Sequence, residues 1–231
     1  MNKNLENTYQ QIENTIETLI MQGVMKYKIQ SEKTVNQKTG LEQVSWRNHV
    51  GGRAVSSKAF NQVQQYLTIL SSRAYQGLMS DYSIIRASYV FEKEKLVSHN
   101  LLWWPCPVRI DEEMVQDIGL IEGIQMLLED KNVEKYLNMR TPVRIDFDAE
   151  NDKRDHPRAH IHLQHYDCRI NSVEPICFNR FIRFILDTHY PHMMIDYRGW
   201  NYLNFQYENK RKETEYDLSL IHISEPTRLL S

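Results

Sequence analysis

Arg144, Asp146 and Asp148 alternate with Val143, Ile145 and Phe147, and after a polar loop His160, His162 and Gln164 alternate with Ala159, Ile161 and Leu163. Period-two alternation marks a strand with one apolar and one polar face. Paired antiparallel, the two segments turn their apolar faces into one core. Their polar faces then form one surface holding two carboxylates, two imidazoles and a guanidinium, with opposed β-carbons about 4.5–5.5 Å apart. The next stretch supports the burial half of this picture. Phe178, Phe181, Ile182, Ile185 and Leu186 recur at helical spacing between Pro175 and Pro191, which predicts a short helix laying one apolar stripe on that hairpin.

Upstream, Leu5, Tyr9, Ile12, Ile16, Leu19 and Ile20 keep helical spacing over residues 5–25. Residues 27–55, with Gly40, Gly51 and Gly52 among polar residues, read as a loop or irregular hairpin. A second helix is expected from an N-cap at Ser56 or Ser57, burying Phe60, Val63, Tyr66, Leu67 and Leu70. YSIIRASYVF and LVSHNLLWWP, joined by the charged turn EKEK, predict an antiparallel hairpin. Trp103 and Trp104 could stack on bases, but adjacent tryptophans more often pack a core. A helix over residues 111–130 follows, with Met114, Val115, Ile118, Ile121 and Leu128 as its apolar positions, then a short helix over 133–139 and a final strand in WNYLNFQYE. Hairpins with helices to one side give α+β: an antiparallel sheet with helices packed mainly on one face. One domain is expected over 1–217, its helical part near 1–76 and its sheet near 77–208.

Composition narrows the class. With 41% hydrophobic and 25% charged residues, the 231-residue chain can build a real core. It shows no apolar run long enough to span a bilayer and no signal-peptide layout, so a cytoplasmic protein with no membrane partner is expected. Cys106, Cys168 and Cys177 lack metal-type spacing and read as reduced thiols. A net charge of −2 gives no broad basic footprint for duplex nucleic acid. The string LSLIHISEPTR, Leu218 to Arg228, reads as the translation of a transposase-type sequencing adapter on a metagenomic fragment, so residues 218–231 are excluded from site reasoning.

TPVRIDFD, DHPRAHIHLQ, CRI and FNRFIRFILDTHYP together resemble the bacterial family known as domain of unknown function 2290, over most of residues 1–217. Glu174 and Cys177 depart from the Ser/Thr/Pro lead into the helix associated with that family. The resemblance implies a bacterial or phage-associated protein and no established activity. A fainter likeness, carried by His156, Pro157, His160 and His162 beside the Arg/Asp strand, is to TumE-type toxins of toxin–antitoxin pairs.

The polar face admits three functional readings. Asp146, His160 and His162, with Asp148, have the donor types of a divalent metal site. Without metal, a 2′-hydroxyl of RNA could be the nucleophile, with one histidine as base, the other as acid, Asp146 fixing a tautomer, and Arg144 or Arg158 stabilising charge. Arg158 and Arg169 are then the substrate-binding candidates. Thirdly, the face could recognise a cognate antitoxin, a defence subunit or a nucleotide without chemistry. Against these stands a solvated ladder of salt bridges, worth at most about 1 kcal/mol per pair. Histidine density argues against the ladder, since His156, His160, His162 and His165 fall within ten residues. The expectation carried forward is a phosphodiesterase or ribonuclease-like toxin or defence component acting through Arg144, Asp146, His160 and His162. The alternative is a non-catalytic interaction or ligand-binding subunit. His99 reads as a core or edge histidine, and His189 and His192 as helix-end residues.

Overall fold

The computed structural model describes residues 2–48, 62–151, 157–163, 168–172 and 174–208. The chain begins with α1 (Lys3–Met21), followed by β1 (Met25–Lys28), β2 (Glu32–Val35) and β3 (Glu42–Ser45). Then come α2 (Val63–Ser71), β4 (Gly77–Met79), β5 (Ile84–Glu92) and β6 (Lys95–Trp104). The helices α3 (Glu112–Ile118) and α4 (Leu120–Glu129) lead to β7 (Val143–Asp148), β8 (Ala159–Leu163), β9 (Ile170–Asn171) and α5 (Phe178–His189). Among the described residues the strands make one open antiparallel sheet in the order β1-β4-β5-β6-β7-β8-β9, with β3 also pairing β5 and β2 pairing β3. The fold is α+β.

β5 and β6 form the spine because one face of each is largely apolar and the other is apolar at one end. Ile85, Ala87, Tyr89, Phe91, Leu101 and Trp103 face one way, joined by Val143, Ile145, Phe147, Ala159 and Ile161. On them lie the two longest helices among the described residues, through Ile12, Ile16 and Leu19 of α1 and Phe178, Phe181, Ile182 and Ile185 of α5. The alternating apolar positions of β7, β8 and α5 thus meet in one core. Ile84, Leu102 and Trp104 point the other way, under Tyr66, Ile69 and Leu70 of α2 and Ile124 and Leu127 of α4. This second cluster covers one end of that face; farther along β5 to β8 the same face is polar. Trp103 and Trp104 are both core residues, on opposite faces.

Two polar clasps tie distant segments. The Tyr190 hydroxyl donates to Asp81 Oδ2 at 2.9 Å and receives the Trp103 indole N–H at 3.2 Å, while Asp81 pairs with Arg140. At the other end, Asn2 caps α1 by accepting from the Asn4 and Leu5 amides, and its own amide group donates to the Lys93 carbonyl in the β5–β6 turn. Asn4 Nδ2 donates to the Glu94 carbonyl at 2.6 Å, and the Glu94 carboxylate accepts from the Lys3 and Asn4 amides.

The structure corrects several expectations. WNYLNFQYE forms no strand through residue 208; one backbone bond, from Leu96 N–H to the Gln206 carbonyl at 2.7 Å, fastens it to β6. Only Val133–Lys135 of the short helix is helical, as a 3₁₀ turn. Residues 27–45 contain a regular hairpin, β2 with β3, and β1, which joins the sheet against β4. The second helix has Gln62 as its N-cap residue, while Gly51, Gly52, Ser56, Ser57, Phe60 and the 218–231 tail lie outside the described residues. The helix over 111–130 is two helices. It breaks at Gly119, whose φ of 90° and ψ of 156° suit glycine alone, and the break turns Ile118 outward, 42% exposed, while Ile124 and Leu127 take the core positions.

Gly119→Ala is therefore expected to lose about 1–3 kcal/mol in urea unfolding, since the new β-carbon adds backbone strain and lies 2.8 Å from Glu122 Oε2. An unchanged midpoint would mean the two helices can straighten into one.

Candidate metal centre

Antiparallel register assembles the polar face. Arg144 lies opposite His162 and Asp146 opposite His160, while on the other side of β7 Asp146 lies opposite Asn100 and Arg144 opposite Leu102. Continuing into β5, Arg86 pairs with Leu102 and Ser88 with Asn100. Two rows therefore cross the sheet, Arg86–Leu102–Arg144–His162 and Ser88–Asn100–Asp146–His160. The expected pairing of β7 with β8 and the shared face of Asp146 and both histidines are as the alternation implied. The face is not a solvated ladder, however: His160 and His162 are each 1% exposed and Arg144 6%.

Asp146 is the hub of this cluster. Its Oδ1 accepts from Asn100 Nδ2 at 2.5 Å. Three nitrogens approach Oδ2: Arg144 Nε at 2.9 Å, His162 Nε2 at 3.3 Å and His160 Nε2 at 3.8 Å. Burial pushes the Asp146 carboxyl upward, but the His162 hydrogen bond and the charges of Arg144, His162 and His160 outweigh it and bring the carboxyl down to about 2. Asp146 is thus ionised at any ordinary pH. The two imidazoles meet edge to face, with centroids 4.7 Å apart.

The His160 tautomer follows from its other contact. Nδ1 lies 2.6 Å from the Pro157 carbonyl oxygen, which can only accept, so Nδ1 carries the proton. In the neutral ring Nε2 then presents its lone pair toward Asp146. A backbone carbonyl on the far nitrogen is how metal-ligating histidines are commonly oriented. Ligand atoms of Asp146, His160 and His162 all lie within 4.8 Å of one another, a two-histidine, one-carboxylate set among the described residues.

The remaining candidates divide. Asp148 is not in this set; its Oδ1 accepts from the Glu150 amide at 3.1 Å in the turn after β7. The Arg158 guanidinium sits 5.0 Å from the Tyr207 ring centre, and Tyr207 packs edge-on against Phe147 on the opposite face. Arg169 fares better: the register His160 to Asn171 and Ile161 to Ile170 places it opposite His162, at the end of the Arg86 row. Arg180 and Arg183 lie on the solvent side of α5, Arg183 bonded to the Tyr202 hydroxyl. His156, Gln164 and His165 lie outside the described residues, so the density argument rests on His160 and His162 alone. Sequence reasoning missed Asn100 and Arg86. A lone arginine inside the apolar run IIRASYVF was the available signal for the second, because charge is rarely buried without a task.

The chain belongs to the family described as "Uncharacterized conserved protein (DUF2290)", whose model matches residues 25–225. No curated protein and no solved structure matches it significantly.

His99 faces the opposite, apolar side, as a core histidine: it lies between the Tyr89 and Phe147 rings and its Nε2 accepts from the Ile176 amide at 3.2 Å. Burial lowers its pKa from 6.5 to about 4. Between those values the unfolded chain takes up a proton that the fold refuses, so stability falls as pH drops from about 6.5 to 4, by on the order of 3 kcal/mol. Denaturant titrations across that window are expected to show this loss, and His99→Gln, which keeps an acceptor but does not titrate, to flatten it. Equal slopes in both proteins would assign the loss to other groups.

Proposed function

We propose that this DUF2290 protein binds a divalent transition-metal ion through Asp146, His160 and His162, and that the centre cleaves phosphodiesters in RNA. The observation that supports the reading is the meeting of His160 Nε2 with Asp146 Oδ2 at 3.8 Å. With Nδ1 committed to Pro157, the Nε2 lone pair of a neutral His160 faces the carboxylate in a site with both imidazoles buried, and a cation between them would satisfy both. Imidazole and carboxylate donors suit Mn, Fe, Ni or Zn. Held by these three residues, such an ion would supply a Lewis acid and a more acidic water. The chain's own groups do the rest. Asn100 fixes one Asp146 oxygen, Pro157 fixes the His160 ring, and Arg144 places positive charge where a phosphorane would develop it.

One contact favours a second reading. Arg144 Nε already lies 2.9 Å from Asp146 Oδ2, so the carboxylate has a cation without any metal. A proton on one imidazole would then complete the cluster, and the two histidines would act as acid and base on an RNA 2′-hydroxyl. In either form the biological setting proposed is a toxin or defence component with a cognate partner protein, supported by the likeness of the His-Pro loop to TumE-type toxins.

Titrating chelator-treated protein with Zn²⁺ or Mn²⁺ in a calorimeter is expected to show one site that Asp146→Asn and His162→Ala abolish and the exposed His192→Ala leaves intact. Asn100→Ala is expected to weaken that affinity by about 10–100-fold, as loss of a ligand-orienting bond does. RNA cleavage should fail in the two ligand variants and in excess chelator. Cleavage that survives chelation selects the metal-free mechanism. No metal uptake and no cleavage by folded wild type would leave the interaction-subunit reading.

A further inference from the structure

Arg86 stands in the same cross-sheet row as Arg144 and His162, and nothing so far gives it work. It is 2% exposed. Its guanidinium carbon lies 3.7 Å from the centre of the Trp46 ring, so the group is laid on an aromatic face. Two of its nitrogens, Nε and Nη1, are buried and make no hydrogen bond. Three other withdrawn cations have carboxylate partners: Arg144 with Asp146, Arg140 with Asp81, Lys28 with Glu13. Arg86 has no carboxylate partner among the described residues. Burial alone shifts its pKa, to about 9, which leaves it charged at neutral pH. A charge withdrawn from water without a counter-charge is strongly unfavourable, and the ring offsets only part of that.

Other unfilled groups lie along this face. Ser45 Oγ is buried without a hydrogen bond, and the register Val44 to Tyr89 carries Ser45 to a position opposite Ser88, two residues from Arg86. At the far end of the row, Arg169 also has a buried Nε without a partner. Along the row of Arg86, Leu102, Arg144 and His162, extended to Arg169, the face therefore has donors to spare at both ends, with the Asp146 carboxylate beside its middle.

We propose that Arg86, stacked on Trp46 and assisted by Ser45, is the seat for a non-scissile phosphate of the polynucleotide, beside the Asp146/His160/His162 centre. Naming the ligand a polynucleotide phosphate rests on the phosphodiesterase reading; the oxyanion seat itself rests on the orphaned guanidinium. Arg86 and Arg144 are two strands apart, roughly 9–10 Å between backbones, which sets the seat to one side of the reacting centre. Guanidinium N–H groups donate to phosphate oxygens, and Arg86 retains two buried nitrogens, Nε and Nη1, without partners.

The test uses chelator-treated full-length protein, so that the metal centre plays no part. Inorganic phosphate at millimolar concentration is expected to raise the melting temperature of wild type and of His162→Ala by several degrees, and to leave Arg86→Met unmoved. Without phosphate, Arg86→Met should melt at or above wild type, because it removes an uncompensated charge; a merely structural arginine would predict a drop. Binding of a 2′-O-methyl oligoribonucleotide, which cannot be cleaved through its 2′-oxygen, should weaken at least tenfold in Arg86→Met. A phosphate response that persists in Arg86→Met, a drop in its phosphate-free melting temperature, or unchanged oligonucleotide binding each overturns the proposal. If wild type cleaves no RNA yet the phosphate rise and oligonucleotide binding both depend on Arg86, the seat stands and the nuclease reading falls.

Discussion

A carboxylate in the middle of a β-sheet, with only a fifth of its side chain exposed, obliges everything around it to answer its charge. Asp146 is answered by one residue on its own strand and by both neighbouring strands, which supply Arg144, Asn100, His160 and His162. Slipping either neighbour by one residue would replace an imidazole or amide with Ile161 or Leu101 and leave the charge bare. The carboxylate therefore locks register, and register in turn holds Ile145, Phe147 and Ile161 in the core on the opposite face. Stability and chemistry share one constraint.

The division of the sheet follows from where the helices lie. α1 and α5 close one face, whereas on the other the apolar patch of Ile84, Leu102 and Trp104 ends where Arg86 and Ser88 begin. A parallel sheet with helices along both faces would have had no place for such a cluster. The antiparallel sheet can keep part of one face polar while its spine stays buried. That the polar part is nonetheless nearly inaccessible at the imidazoles gives its electrostatics more weight than a surface ladder would have.

Much of this was legible in the chain. Period-two alternation in VRIDFD and AHIHL places Arg144, Asp146, His160 and His162 on one face, because side-chain direction in a strand depends only on parity. Helical spacing in α5 identified the cover of the apolar face. What failed were features set by long-range contact. Nothing local says that Asn100 will lie opposite Asp146, since that depends on which strand pairs with β7. Asp148 shares parity with Asp146 but lies at the strand end, where the turn claims its carboxylate. Gly119 was readable as a helix breaker, yet the apolar positions around it fit an unbroken helix well enough to hide the kink. Arg158 sits one residue before β8, where parity no longer controls direction, and it went to Tyr207.

The clasp between the first turn of α1 and the β5–β6 turn joins groups about 90 residues apart in sequence, as the bonds of Asn2, Lys3 and Asn4 to Lys93 and Glu94 show. The helix is made before the hairpin, but its landing place does not exist until the hairpin has closed. Hairpin closure is local and fast, whereas bringing ends together across so long a loop carries a larger entropic cost. Synthesis order and docking order are therefore opposed for this pair: α1 is made before the hairpin it lands on, and until that hairpin closes the apolar stripe of Ile12, Ile16 and Leu19 has no sheet to cover.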